Sequence, residues 1–418
     1  MKDFIRNFIE SPHLSVASVE SSLGEIVREG AEKLVKMAVM AEFENFFSQY
    51  SHLTDQKDKQ LIVRNGYHRE RNVMTSAGNI CVKVPRLSDR REGDVTKERL
   101  CFHSKVIPPY LRRANELDDF IPYLYLKGIS SGDFSDVFSR LLGEKVSLSA
   151  QTVSRLKQKW EVEYSEWSQR DLLGKRYVYW WADGVHFNIR MESDRNCILV
   201  VIGVLSDGTK ELVAVEEGPR ESELSWQNLL LSLKRRGLNH GPLLAIGDGA
   251  LGFWNAIKKE YPDSRHQRCW VHKTANVLDK LPKSFQPEAK GMIHEIYLSP
   301  DKEAALKAFD DFAELFEAKY PKATHCLLKD KDQMLRFYDF PAEHWRHIRS
   351  TNVIESTFST VRLRTYKTRG CLSRKTALTM VFKLIEAAEK KWQRLHSYKL
   401  LPVVLSGEEF IDGVRKVA

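Results

Sequence analysis

The apolar residues near the N-terminus of this chain recur at the spacing of an α-helix. Between positions 23 and 50 they fall three and four residues apart, so they line one face of a helix. The members of this face are Ile26, Val27, Ala31, Leu34, Val35, Ala38, Val39, Phe43, Phe46 and Phe47. We predict helix over residues 1–60. A face this wide needs a partner, which is either the rest of the chain or a second copy of it.

Residues 61–108 carry the period-two pattern of β-strands. Apolar runs at 61–67, 73–75 and 80–85 surround the turn-forming pair Gly78-Asn79, which predicts a β-hairpin. The highly charged stretch 87–98 predicts a loop. Arg64 and Arg69 belong to the basic residues of the hairpin. A basic ribbon can lie on DNA, and the alternative is a solvated hairpin.

Three helical segments follow, at 115–126, 130–142 and 147–163, and Ser149 is placed to cap the third. Two short helices before a helix with a polar front are typical of a helix-turn-helix unit. A plain three-helix packing unit fits the same pattern. In the DNA-binding interpretation the residues that face the groove are Gln151, Ser154, Arg155 and Lys157.

From residue 173 onward strands alternate with helices. Strands are predicted at 177–190, 197–205, 211–215 and 242–246, and helices at 222–236 and 251–260. The run CILVVIGVL at 197–205 is apolar throughout, as expected of a strand buried on both faces. Three strands in a meander, followed by a crossover to a fourth, form the ribonuclease H-like arrangement.

Residues 274–345 have helical periodicity without a strand pattern, most clearly at 303–316. We interpret them as an all-α insertion that interrupts the α/β core. The core resumes with a helix around Glu355 and another at 377–394. The predicted domains are a helical dimerisation or DNA-binding region at 1–60, the basic hairpin region at 61–108, the helix-turn-helix-like domain at 109–172, the catalytic core at 173–273 and 346–395, the insertion at 274–345 and a tail at 396–418.

Charge, hydropathy and cysteine content limit which partners, cofactors and cellular locations the sequence suggests. The net charge of +9 suits a polyanionic partner such as nucleic acid, although a basic soluble protein has the same charge. No apolar run reaches the ~20 residues that span a membrane, no secretory signal is recognisable, and we expect a cytoplasmic protein. No phosphate-binding G-x-x-x-x-G-K-[ST] motif is present, so no nucleotide cofactor is expected. The six cysteines are scattered without a C-x-x-C pair, which argues against a disulfide framework.

Two aspartates occupy strand positions where a carboxylate is costly. Asp183 lies among aromatic and apolar residues in the first core strand, and burying it requires pairing or a metal ion. Asp248 follows the fourth strand between Gly247 and Gly249, which allow a sharp turn and leave room for a ligand. In a ribonuclease H-like sheet these two positions are neighbours. The other acids of this region stand in turns or at a strand end and are expected to be solvated; they are Asp194, Asp207, Glu216 and Glu217.

Glu355 is the single acidic residue in the stretch 349–370. On a helix it shares a face with Ser359 and Arg362. More basic residues follow, namely Arg364, Lys367 and Arg369. A lone carboxylate beside this basic charge suits a metal ligand that approaches a polyanion. We predict that Asp183, Asp248 and Glu355 are catalytic and hold two Mg²⁺ or Mn²⁺ ions, which would activate water or a 3′-hydroxyl.

Three stretches carry a family likeness: WADGVHFNIR around Asp183, IGDGALGFWNAIKKEYPDSRHQRCWVHKTANVLDKLP around Asp248, and IRSTNVIESTFSTVRLRTYKTRG around Glu355. In these stretches the chain resembles bacterial insertion-sequence transposases of the IS256 type, which are related to Mutator elements. The likeness covers residues 60–395. It implies a DDE transposase with a ribonuclease H-like core, a divalent metal and an α-helical insertion before the glutamate.

The resemblance also implies partners and a pathway. The N-terminal part is expected to bind the terminal inverted repeats of the element, and the enzyme to act as a homodimer on paired DNA ends and on target DNA. Transposition is expected to be replicative through a circular intermediate, at the bacterial nucleoid. Arg362 and Arg364 are expected to hold DNA backbone near the metals, while Lys367 and Arg369 continue the basic surface.

The C-x-x-H motif of the family is matched by Cys269 and His272. Taken alone this pair is half a zinc site. No fourth ligand is recognisable, so we interpret the pair, together with His186, as orienting the surroundings of the active site. Thr274-Ala275 and Phe358 depart from the residues that the family usually has there.

Trp345 lies just before the Glu355 helix. Related transposases place an aromatic residue of the insertion near a flipped base, which Trp345 could stack on. The alternative is a tryptophan that packs in the core of the insertion. Two other functions remain open for the whole chain: a ribonuclease H-like nuclease without strand transfer, and a domesticated DNA-binding protein. The intact set of three carboxylates weighs against the second.

Overall fold

The computed structural model describes residues 23–91, 99–129, 133–142, 150–187, 196–218, 220–368 and 373–416. The chain divides into two compact units. The first comprises the chain up to Tyr125 together with Ile129–Leu156, and the second comprises Leu126–Gly128 and the chain from Lys157 onward. Among the described helices, none is both long and apolar enough to cross a membrane.

The first unit opens with helix α1 (Leu23–Ser48), whose residues Val39 and Phe43 are buried against two strands. This packing answers the question of a partner for the second half of the helix, because its apolar face is covered by its own unit. The first half leaves Leu23 and Leu34 exposed. Residues 49–60 form turns and an isolated bridge between Thr54 and Gln60, so the helix prediction is wrong there. Residues 1–22 lie outside the described residues.

The predicted hairpin is present as β2 (Arg71–Thr75) and β3 (Gly78–Val82), which pair antiparallel. A second pair joins β1 (Ile62–Tyr67) to β4 (Pro85–Asp89). The loop predicted over 87–98 is therefore wrong at residues 87–89, which lie in β4, and residues 92–98 are outside the described part. Pro85 is tolerated because it is the first residue of an edge strand.

The three predicted helices are present as α2 (Asn115–Leu126), α3 (Phe134–Leu142) and α4 (Ala150–Ser168), and α4 ends at residue 168 rather than at the predicted residue 163. Phe134 and Phe138 of α3 pack on Leu117 and Ile121 of α2, which gives the helices a shared apolar core. Residues 130–132 and 143–149, with the predicted cap Ser149, lie outside the described residues. Docking of α4 into a DNA groove stays a prediction.

The second unit is built on a five-stranded mixed sheet of order β7-β6-β5-β8-β9. Its strands are β5 (Tyr177–Phe187), β6 (Asn196–Leu205), β7 (Lys210–Gly218), β8 (Leu244–Gly247) and β9 (Arg265–Arg268). The first three pair antiparallel, and β8 and β9 run parallel to β5. The predicted meander and crossover are confirmed. Strand β9 was not predicted, because its sequence RHQR has no apolar residue.

Alternation along β5 sends neighbouring residues to opposite faces of the sheet. Trp180 and Ala182 pack against α5 (Glu223–Arg235) and α6 (Leu251–Glu260). Tyr179, Trp181 and Asp183 therefore face the other side, after a register shift between Tyr177 and Tyr179. Asp183 thus points away from the largest apolar cluster of the unit.

From residue 270 to residue 368 the described chain is helical and contains no strand. The α-helices are α7 (Trp270–Leu278), α8 (Gln286–Leu298), α9 (Lys302–Phe316), α10 (Pro321–Leu328), α11 (Lys331–Met334), α12 (Trp345–Ile348) and α13 (Asn352–Thr368). Short 3₁₀ turns lie at Arg336–Asp339 and Ala342–His344. Helix α14 (Arg374–Glu389) follows and ends before the predicted residue 394.

The segment predicted as a tail, 396–418, folds back on the helical part. It contains a 3₁₀ turn (Tyr398–Leu400), helix α15 (Leu401–Leu405) and a small hairpin of β10 (Phe410–Ile411) and β11 (Val414–Arg415). The backbone N–H of Gly413 donates to the carbonyl of Tyr338 at 3.0 Å, and the N–H of Ala342 donates to the carbonyl of Gly413 at 3.1 Å. The C-terminal hairpin thereby supports the turns that precede α13.

Candidate active site

Two hydrogen bonds fix the approach to α13 against β5. The Tyr179 hydroxyl lies 2.9 Å from Nδ1 of His344, and the Trp181 indole N–H donates to the carbonyl of His347 at 3.0 Å. Tyr179, Trp181 and Asp183 share one face of the strand. The helix that carries Glu355 therefore starts over the face that carries Asp183.

Asp183 and Asp248 are brought together by strand register. Ala182 of β5 is the partner of Gly247 of β8, and each aspartate is the next residue along its strand. Asp183 is only 7% exposed, and its Oδ1 accepts the N–H of Gly184 at 2.8 Å. Burial, followed by the charge of Asp248, raises the pKa of Asp183 to about 7. Such a carboxyl group is poised to exchange its proton for a cation.

A third carboxylate lies beside this pair, and it is Glu221. Ligand oxygens of Asp183, Asp248 and Glu221 all lie within 4.8 Å of one another. Sequence reasoning missed Glu221, because an acid just before a helix N-cap is an ordinary way to complement the helix dipole. Burial, followed by the charges of Asp248 and Asp183, raises the pKa of Glu221 to about 8. His186 is exposed, and its Nε2 lies 3.7 Å from Oε2 of Glu221.

Glu355 stands in the first turn of α13 and is held by Thr351, whose hydroxyl donates to Oε1 at 2.8 Å. The same hydroxyl lies 3.2 Å from Sγ of Cys269 and 3.4 Å from Nδ1 of His272. Nδ1 of His272 is 3.6 Å from Oε1 of Glu355. Thr351 thus links the C-x-x-H pair to the glutamate, and the orienting role of the pair stays a prediction.

Cys269 and His272 are hydrogen-bonded to each other, and each shifts the pKa of the other. Hydrogen bonding to Cys269, with smaller contributions from the charges of Cys269, Glu355 and Asp183, raises the pKa of His272 to about 9. Burial alone would raise the pKa of the Cys269 thiol, but hydrogen bonds with His272 and Thr351 outweigh it and the pKa falls. The result is a positive imidazolium beside Glu355.

The charge of Glu355 contributes to raising the pKa of Asp183, so the glutamate belongs to the same acidic neighbourhood. Among the described residues, however, the mutually close carboxylates are Asp183, Asp248 and Glu221, while Glu355 groups with Cys269 and His272. The group that contains both aspartates consists of carboxylate oxygens, the ligands that Mg²⁺ and Mn²⁺ prefer, while His186 and Cys197 group with Glu221 only. The residues present therefore fit a hard divalent cation.

The predicted DNA contacts of α13 are only partly described. Arg362 is exposed on the helix two turns beyond Glu355. The side chains of Arg364 and Lys367, and the whole of Arg369, lie outside the described part of the chain. Trp345 is half-buried, with its ring against those of Phe337 and Tyr338, and its indole N–H donates to the carbonyl of Phe340 at 2.8 Å. This packing favours a core role for Trp345 over base stacking.

The DNA contacts predicted on α4 and in β1 differ in their exposure and in their pairing. Gln151, Ser154 and Arg155 are exposed on α4, and the side chain of Lys157 is not among those described. Arg64 is engaged, since it pairs with Glu44 and lies over the rings of two phenylalanines.

Arg69 lines an open cavity of about 660 Å³ in the first unit. Further basic residues of its wall are His68, Arg71, His103 and Arg112. Arg71 is used structurally, because its guanidinium donates to the carbonyls of Ile107 and Pro108 at 2.9 and 2.8 Å. Arg69 and Arg112 are exposed cations of the wall, and the side chains of His68 and His103 are exposed as well.

Comparison with known proteins gives consistent matches. The chain matches the family described as "Transposase, Mutator family" over residues 7–395. It is 48% identical to the transposase for insertion sequence element IS6120 of Mycolicibacterium smegmatis, over 71% of this chain and 92% of that protein. It is 47% identical to the transposase for IST2 of Acidithiobacillus ferrooxidans, over 67% of this chain and 95% of that protein.

The transposase for IS256 in transposon Tn4001 of Staphylococcus aureus is 30% identical, over 72% of this chain and 74% of that protein. Among solved structures, the HTLV-2 integrase catalytic core domain in complex with magnesium is 18% identical. That match covers 33% of this chain and 86% of that chain, with a TM-score of 0.17.

Proposed function

Because the chain belongs to the Mutator family of transposases and is an insertion-sequence transposase, we propose that Asp183, Asp248 and Glu355 form its metal-dependent catalytic site. One observation supports this most strongly: Asp183 inside β5 lies beside Asp248, which directly follows the parallel strand β8, and the helix that carries Glu355 starts over the same face of β5. The proposed reaction is cleavage of the element ends, followed by attack of the freed 3′-hydroxyl on a second phosphodiester.

The three carboxylates would hold two Mg²⁺ or Mn²⁺ ions, which when bound lower the pKa of the attacking hydroxyl and stabilise the leaving oxygen. The protein supplies the orientation of the ligands. Backbone N–H groups of Gly184 and Ala250 fix the two aspartates, each at 2.8 Å. The Thr351 hydroxyl fixes Glu355, and the His272 cation lies beside it. Preorganised ligands of this kind reduce the cost of reaching the transition state.

A basic cleft next to the start of α13 supports passage of a DNA strand. Its volume is about 510 Å³, and Lys290, Arg346 and Arg349 contribute its cationic groups. Asn352, the first residue of α13, also lines it. Phosphates bound in this cleft would lie one helical turn from Glu355. Arg362, Arg364, Lys367 and Arg369 would extend the contact along the helix.

Binding of the terminal inverted repeats is assigned to α4 and to the basic hairpin region. Gln151, Ser154, Arg155 and Lys157 on α4 would read the repeat, and Arg69 would contact phosphate. We further propose a homodimer that pairs two ends and replicates the element through a circular intermediate in the bacterial cytoplasm, at the nucleoid. These proposals follow from the resemblance to IS256-type enzymes.

Joining of a labelled end oligonucleotide to a plasmid tests the proposed reaction. The wild-type chain should cleave and join with Mg²⁺, while Asp183→Asn, Asp248→Asn and Glu355→Gln should each lose at least ~100-fold in joining, the scale of losing one preorganised catalytic group. Cleavage without joined product would favour the nuclease alternative. End binding without either reaction would favour a domesticated DNA-binding protein.

A further inference from the structure

We infer that Glu221 is an additional metal ligand of this site, which joins Asp183 and Asp248 in holding one divalent cation. This inference rests on the proposed function, since it concerns the same metal site. It adds a fourth carboxylate from a different part of the chain, the loop between β7 and α5.

Distance supports the assignment. The ligand oxygens of Asp183, Asp248 and Glu221 lie within 4.8 Å of one another, close enough for a single ion to bridge all three after small side-chain rotations. Glu355 is held by Thr351 instead and belongs to the group with Cys269 and His272. Glu221 and Glu355 therefore reach the aspartates from two different parts of the chain. Four carboxylates in this arrangement can ligate two ions more fully than three carboxylates can.

The position of Glu221 is enforced by two glycines. A Cβ on Gly184 would lie 3.0 Å from both Cδ and Oε2 of Glu221 and 2.8 Å from Sγ of Cys197, so the absent side chain leaves the space that the glutamate occupies. A Cβ on Gly252 would lie 2.7 Å from the backbone of Ser222 and 3.0 Å from the carbonyl of Glu221. Helix α6 can therefore press against the Glu221 loop. These close contacts fix the position of the Glu221 carboxylate next to the two aspartates.

The negative charges of Glu221, Asp183 and Asp248 are not balanced by positive side chains of the described chain in direct contact with them. Among the described side chains, His186 is the only basic group within ion-pair distance of the three clustered carboxylates, at 3.7 Å from Glu221, and it is exposed. The buried indole N–H of Trp226 is placed to donate a hydrogen bond to Glu221, but it carries no charge. No lysine or arginine of the described chain neutralises the group. A divalent cation would supply the missing positive charge.

Calorimetric titration of Mn²⁺ into the full chain without DNA tests this assignment. The variants are Glu221→Gln, Asp183→Asn and, as a matched control, Glu223→Gln, whose residue lies two positions along and pairs with Lys259 and Asn255. We expect Glu221→Gln to weaken Mn²⁺ binding at least tenfold and Glu223→Gln to leave it unchanged. Unfolding of the metal-free proteins checks the fold, and the midpoint of Glu221→Gln should not fall below that of the wild type.

The possible outcomes separate this inference from the proposed function. If Glu221→Gln binds Mn²⁺ like the wild type while Asp183→Asn does not, Glu221 is no ligand and the proposed catalytic site stands. If Asp183→Asn also binds normally, both proposals fail. Should Glu221→Gln not fold, Glu221→Asp keeps the charge but shortens the side chain by one methylene. Wild-type affinity in that variant would overturn the assignment, and weakened affinity would support it.

Discussion

Two acidic groups in the second unit are neutralised in opposite ways. Asp330 is paired with both Arg268 and Lys273, and the Lys273 ammonium also donates to the carbonyl of Cys326 at 2.8 Å. Burial alone would raise the pKa of Asp330, but hydrogen bonding and the charges of the two cations hold that pKa below its usual range. Asp183, with Asp248 and Glu221, has no lysine or arginine partner among the described residues, and its pKa is raised to about 7.

The presence or absence of protein cations separates a structural ion pair from a binding site among buried carboxylates. A buried carboxylate that is paired with cations of the protein compensates their charge, so its removal destabilises the fold. Its oxygens are already engaged and are not available to a metal ion. A cluster of carboxylates without such cations lowers the free energy of unfolding. Binding of a cation to the cluster raises that free energy again.

Asp330→Asn should destabilise the protein by about 3–5 kcal/mol, the usual cost of removing one partner from a buried ion pair. Lys273, which is 3% exposed, would keep its charge without a counter-charge and beside Arg268. Urea unfolding measures the effect. Asp183→Asn is the matched variant, and it should leave the metal-free protein at least as stable as the wild type. Equal losses in the two variants would remove the distinction between the groups.

The stability of the metal-free protein should fall as pH rises from about 4 to about 7. Folding raises the pKa of Asp183 from 3.8 to about 7, so in this window the folded state holds a proton that the unfolded state has released. Each such group lowers the free energy of unfolding by up to ~1.4 kcal/mol per pH unit. Asp248, Glu221, Glu355 and His272 share this environment. Asp183→Asn should flatten the pH profile of urea unfolding, and an unchanged slope would contradict the burial argument.

His272→Gln should reduce strand joining by about 10–100-fold, the range found for groups that orient metal ligands. The substitution removes the cation beside Glu355 while leaving the Asp183 cluster intact. Mn²⁺ affinity should therefore change much less than the joining rate. Loss of Mn²⁺ binding equal to the loss of joining would show that the C-x-x-H pair holds metal itself.

Arg69→Ala should weaken binding of the element ends several-fold and reduce the salt dependence of binding by about one phosphate contact. Arg64→Ala is the matched control, because Arg64 is already paired with Glu44 while Arg69 has no acidic partner among the described residues. Affinity measured across salt concentrations separates the two. A larger effect of Arg64→Ala would reverse the assignment.

The sequence predicts the sheet and two of its acidic residues for clear physical reasons. Continuous apolar runs such as 197–205 require burial on both faces, and Asp183 is conspicuous because it interrupts such a run. Helices α2 and α6 match the predicted ranges, since their apolar spacing is regular.

Other features depend on contacts that local sequence does not encode. Strand β9 is polar in sequence, and Gln267 is buried only because its amide donates to the carbonyls of Arg268 and Met334, at 2.8 and 3.0 Å. Glu221 comes beside the aspartates through the packing of Gly184 and Gly252, which are distant in sequence. Thr351 contacts both Glu355 and Cys269, and Cys269 lies 82 positions before Thr351 in the chain.

Thermal unfolding during a Mn²⁺ titration at pH 8 tests the contrast between the two acidic groups most directly. The midpoint of the wild-type chain should rise with Mn²⁺, by the equivalent of about 2.7 kcal/mol at a hundredfold excess over Kd. Asp330→Asn should begin from a lower midpoint and show the same rise, whereas Asp183→Asn should show none. A full rise in Asp183→Asn would contradict the assignment of the metal to this cluster.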